Sequence, residues 1–107
     1  MNETKRQHDW TPMLRFYTEQ NRGRPTRLGV FDGGNDYWLE NGLPFDGIDV
    51  DLHGGSQIIE IVLGDFTHIT KNVRGLKFVL SRSGDEDGVD IEDDEGKVTV
   101  LRFEAAA

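Results

Sequence analysis

Residues 57–64, Gln-Ile-Ile-Glu-Ile-Val-Leu-Gly, are the most apolar run in the chain. The run is rich in β-branched side chains, follows Gly54-Gly55-Ser56 and closes on Gly64-Asp65. It is too short for a typical buried helix and carries strand formers between turn residues, so it reads as a strand buried on both faces. The neighbouring segments read as strands able to pair with it.

Just upstream, Ile48, Val50 and Leu52 alternate with Asp49, Asp51 and His53, the mark of a half-buried strand. Gly54-Gly55 makes these two strands a hairpin. Near the start, Trp10, Met13, Leu14 and Tyr17 fall at i, i+3, i+4 and i+7 and predict an amphipathic helix. Asp9 or Thr11 is positioned to cap it, Pro12 suits its first turn, and Gly23 with Pro25 stops it. Residues 26–31 predict a strand, 32–35 a turn, and 36–40 a second short strand ending on the hairpin dipeptide Asn41-Gly42. Pro44 has no amide hydrogen for a ladder, so Leu43-Pro44-Phe45 reads as an edge or connection, followed by a turn at Asp46-Gly47. In residues 65–75, Phe66, Ile69 and Val73 have helical spacing and predict a helical turn or irregular crossover. Residues 74–81, 89–92 and 97–103 predict three further strands.

The expected fold is therefore α+β: one N-terminal helix packed on a six- or seven-stranded, mostly antiparallel sheet that can curl toward a barrel. The expected organisation is a disordered N-terminus over 1–8, a single domain over 9–104, and a C-terminal tail over 105–107.

Charge narrows the partners. Among 107 residues, 20 are acidic and 12 basic, a formal net charge of −8. An acidic chain is repelled by nucleic acid and by anionic membranes, and no run approaches the roughly 20 apolar residues of a span. The N-terminal residues lack the apolar core of a signal peptide, which predicts a cytoplasmic protein. No cysteine is present, so disulfides and thiolate metal sites are excluded.

The early Trp10 on its helix, Leu43-Pro44-Phe45-Asp46-Gly47-Ile48, the strand 58–63, His68-Ile69 and the final Gly96-Lys97-Val98-Thr99-Val100-Leu101-Arg102-Phe103 together form a pattern. In their order these features resemble a family of small bacterial proteins known only as a domain of unknown function. The resemblance spans roughly residues 8–104 and implies one compact domain. It implies no activity.

Three groups of residues carry chemistry. Asp49, Asp51 and His53 recur at every second position of one predicted strand, which puts two carboxylates and an imidazole on one face. With His68 nearby they could hold a divalent metal or act as acid and base; the bland reading is a solvated sheet face. Ser83, Asp85, Asp87, Gly88 and Asp94 fall in register with a calcium-loop pattern, but Ser and Asp replace its first and last acids and its flanks read as strands. That loop is expected to have adventitious calcium affinity at most. Asp85, Glu86, Asp87, Asp90, Glu92, Asp93, Asp94 and Glu95 form a run able to steer a basic protein surface, with Trp38 as an exposed anchor. The bland reading of that run is a charged edge that prevents aggregation. No glycine pair fits a phosphate loop and no serine lies in a nucleophile motif. The expectation is a non-enzymatic interaction or regulatory module without a cofactor, a monomer or weak homodimer. The alternative is a small metal-dependent or acid/base enzyme built on the carboxylate/His cluster.

Overall fold

A computed structural model describes residues 10–80 and 87–104. The expected disorder of 1–8, the tail over 105–107 and Asp9 as a cap lie outside them. One helix, α1 (Thr11–Asn21), precedes seven strands: β1 (Pro25–Phe31), β2 (Tyr37–His53), β3 (Ser56–Leu63), β4 (Phe66–Thr70), β5 (Val73–Val79), β6 (Gly88–Asp93) and β7 (Val98–Phe103). All pairings are antiparallel, and the order is β4-β3-β2-β1-β7-β6-β5. The expected α+β architecture, one helix on a curled antiparallel sheet, is the observed one.

The curl follows from chain length. β4 and β5 are the two edges of the seven-strand order, yet only Lys71 and Asn72 join them. A flat sheet would hold those edges about 29 Å apart, whereas two linking residues reach about 11 Å between Cα atoms. The sheet must therefore roll into a half-barrel until its edges converge at Asn72. Asn72 adopts φ 54°, a left-handed conformation that asparagine tolerates better than most residues. It ties the corner to both sides of the roll. Its Oδ1 accepts from Ser56 Oγ at 2.6 Å, and its carbonyl accepts from Asp94 N at 3.0 Å.

The concave side holds the core. Leu28, Ile59, Ile61, Leu63, Ile91, Leu101 and Phe103 are fully buried there. β3 is buried on one face: Ile59, Ile61 and Leu63 point inward while Glu60 is exposed. The expectation of burial on both faces is thus corrected. β3 lies second from an edge, and β1 takes the centre. The predicted hairpin at Asn41-Gly42, the connection at Pro44 and the turn at Asp46-Gly47 are likewise replaced by one 17-residue strand, β2. Its first part pairs with β1 and, from Phe45 on, it pairs with β3. Pro44 falls at that changeover, opposite Pro25, and bulges at both ladders let the strand bend. The crossover expected over 65–75 is instead β4, a two-residue corner and the start of β5.

Helix α1 seals one end of the half-barrel. Trp10 and Leu14 are buried, and Tyr17 meets Phe78 at 4.8 Å and Phe103 at 5.8 Å between ring centroids. Burial, then the Asp87 charge, pushes the Tyr17 phenol up to about 12 against the opposing pull of Arg24 and Arg102. Met13, expected on the apolar face, is 45% exposed, and Thr18 takes the buried place. Trp10 occupies the N-cap position without a side-chain cap, so Thr11 begins the helix rather than capping it.

Thr18 also solves a hydrogen-bonding problem in β2. Beyond Pro44 the β1 side of β2 has no strand, which would strand the amide and carbonyl of Ile48. The Thr18 hydroxyl accepts from Ile48 N at 3.1 Å and lies 3.3 Å from Ile48 O, to which it can donate. A Cβ on Gly47 would lie 3.4 Å from Thr18 Cγ2, so the contact is close. Replacing Thr18 with Val keeps the shape and removes both partners. Thr18→Val is expected to lower stability by about 1–3 kcal/mol, read from the midpoint of chemical denaturation, whereas Thr18→Ser, which keeps the hydroxyl, should retain most of the wild-type stability. An unchanged midpoint for Thr18→Val would mean that the hydroxyl does not anchor the helix.

Candidate functional site

Strand alternation assigns the chemistry-bearing residues to different faces. In the β2–β3 ladder Asp49 lies opposite Glu60 and Asp51 opposite Ile58, all on the convex face. Asp49, Asp51 and Glu60 are exposed. Ile69 of β4 lies beside Glu60 on the same face and is 52% exposed. His53 is the last residue of β2, paired with Ser56. His68 pairs with Ile61, whose side chain is in the core, so the His68 ring is on the concave face. The sheet itself therefore separates His68 from Asp49 and Asp51. No three His, Asp or Glu side chains converge as a metal-ligand group among the described residues.

The calcium-pattern and acidic-run residues separate along β6. Ser83, Asp85 and Glu86 lie outside the described residues. Asp87 precedes β6 and Asp94 follows it, which places them about 23 Å apart along an extended strand. Gly88, the pattern's glycine, has a different reason to be there: a Cβ would collide with the Leu101 carbonyl oxygen of β7. Among the described carboxylates of the run, Asp87, Asp90, Glu92 and Asp93 are engaged within the molecule. Asp87 lies 3.8 Å from Arg24, Asp90 2.8 Å from Arg102, and Glu92 2.7 Å from Arg74. Asp93 is buried, and its Oδ1 accepts from the amides of Glu95 and Lys97, each at 2.9 Å, shaping the β6–β7 turn. Asp94 and Glu95 are the exposed acids of that turn.

Trp38 is 51% exposed, in keeping with its reading as an outward aromatic, but one side of its indole is occupied. It lies across Gly29, where a Cβ would stand 2.7 Å from Cε3, and meets Phe31 edge-on at 5.7 Å. The Arg27 guanidinium sits 5.3 Å from its ring. This is aromatic cover for a strand glycine with one face left to solvent.

On the concave side, His68 Nε2 is 3.4 Å from Thr99 Oγ1, and Thr99 Oγ1 is 3.3 Å from Thr70 Oγ1. Burial, and then the positive charge of Lys97, hold the His68 pKa below its usual 6.5. The sequence offered His68 as a companion of Asp49, Asp51 and His53, and the sheet places it with Thr70 and Thr99 instead. The threonines drew no notice because nothing in sequence links positions 70 and 99.

These features define a protein class by form: a helix-capped antiparallel half-barrel with carboxylates on the convex face of β2 and β3 and a polar patch in its concave mouth. No family model, curated protein or solved structure matches the chain.

The depressed His68 pKa has a consequence for stability. Between the folded and unfolded values the unfolded chain binds more protons, so stability is lost as pH falls below 6.5 and the loss levels off below the folded pKa. Denaturation midpoints at roughly pH 7.5 and pH 5.5, above the carboxylate range, are expected to differ more for wild type than for His68→Gln. Equal differences would remove His68 as the cause.

Proposed function

We propose that this chain is a non-enzymatic module that recognises a basic protein surface through the convex face of β2 and β3. The observation that supports it is the direct opposition of Asp49 and Glu60 in the ladder, with Asp51 on the same face. Like charges opposite one another on a sheet destabilise it by a few tenths of a kcal/mol, and a cationic partner would relieve that repulsion. Arg15 of α1 and Arg22, just beyond its end, border a groove that Asp49 and Glu60 also line. Neither forms an ion pair with the three carboxylates. Ile58 and Ile69 supply apolar area between the charges, as an interface needs.

This reading keeps the basic partner suggested by the negative charge and moves its main contact away from the acidic run. Asp87, Asp90 and Glu92 already face arginines, which among the described residues of the run leaves Asp94 and Glu95 as a secondary contribution. The enzyme alternative has Asp49 and Asp51 on the convex face without His68.

The test is affinity capture from the source lysate, washed at low and then high salt. Wild type is expected to hold a discrete partner that high salt releases. Asp49→Asn combined with Asp51→Asn and Glu60→Gln should lose that partner while melting no lower than wild type, because repulsion has been removed. Asp94→Asn with Glu95→Gln should retain it. Capture of the same partner by the triple variant would sink the proposal.

A further inference from the structure

The concave wall of the half-barrel changes character along its length. At the helix end it is Leu101 and Phe103, covered by Leu14 and Tyr17. At the opposite end no helix of the described residues covers it, and the inward positions become His68, Thr70 and Thr99. Thr70 is 8% and Thr99 3% exposed. Their mutual contact of 3.3 Å and the 3.4 Å contact to His68 are long for hydrogen bonds, so all three retain capacity for a further partner. Polar side chains at core positions cost stability unless well bonded, and valine would fill either threonine position without that cost.

A cleft of about 370 Å³ opens on this patch. Its apolar wall is Val30, Leu39 and Phe66, with Tyr37 at the rim. That volume falls at the small end of the range for ligand pockets, and barrel mouths commonly hold them. The charged groups facing it are Lys71, Lys97, Asp93, Asp94 and Glu95. Asp93 is engaged by the turn amides. The charge acting on the His68 ring is that of Lys97, not that of a carboxylate.

We propose that this mouth binds a small organic monocarboxylate with an apolar body. The body lies against Val30, Leu39 and Phe66, and the carboxylate meets Lys97, the threonine hydroxyls and His68. This site is on the opposite side of the sheet from the protein-binding face and does not depend on it. A bound carboxylate favours the protonated imidazole, so affinity rises as pH falls toward the His68 pKa and ligand binding raises that pKa.

The test uses phenylacetate as probe and phenethylamine, a similar body with the opposite charge, as comparison, on the full chain by NMR. Phenylacetate is expected to shift the His68, Thr70 and Thr99 signals saturably and to move the His68 titration midpoint upward. Lys97→Gln should weaken phenylacetate binding by about tenfold, while Lys97→Arg retains it. The absence of a saturable shift, equal binding of phenethylamine, or unchanged affinity in Lys97→Gln would each overturn the proposal.

Discussion

The two-residue link between β4 and β5 is the constraint on which the rest depends. It joins strands at opposite edges of a seven-strand order, and no flat sheet can satisfy it. Rolling the sheet gives it an inside and an outside, and each strand then divides its residues between them by simple alternation. The inside gains a core deep enough to bury Phe45, Leu63 and Phe103 completely. Rolling also leaves two open ends. α1 closes one with Trp10, Leu14 and Tyr17, and the other remains the mouth beside Asn72.

The negative charge is partitioned by the same geometry. On β6 and just before it, Asp90, Glu92 and Asp87 fall beside arginines from β7, β5 and the segment after α1, so these carboxylates are balanced within the molecule. Asp90 with Arg102 is sheltered from solvent more than Glu92 with Arg74, so salt screens the former pair less. On β2 and β3 the register sets Asp49 against Glu60 instead. Carboxylates of the same kind thus become a structural charge network in one place and an unbalanced surface in another.

Much of the strand pattern was legible because period-two alternation is a local property. Ile48 and Val50 against Asp49 and Asp51 marked a half-buried strand, and β2 there is one, although Leu52, expected on the same buried face, is 55% exposed near the hairpin end. The helix was legible for the same reason, with Trp10, Leu14 and Tyr17 on its buried side. Asn41-Gly42 and Pro44 misled because their usual meanings are also local. Within β2 the glycine's φ of 96° is absorbed as the strand bends, and the proline sits where one pairing partner gives way to another. Phe66, Ile69 and Val73 matched a helix period by coincidence across β4, the corner and the start of β5.

Sequence alone determined the class of fold, the helix, most of the strands and the acidic balance, since each follows from side-chain type at short range. It also identified Asp49, Asp51 and His68 as chemically capable. Tertiary structure decided which of them share a face, that Thr18 substitutes for a missing strand, and that Thr70 and Thr99 meet His68 across the concave wall. Those outcomes depend on strand order and register. These are set by contacts between residues tens of positions apart, and no local pattern encodes them.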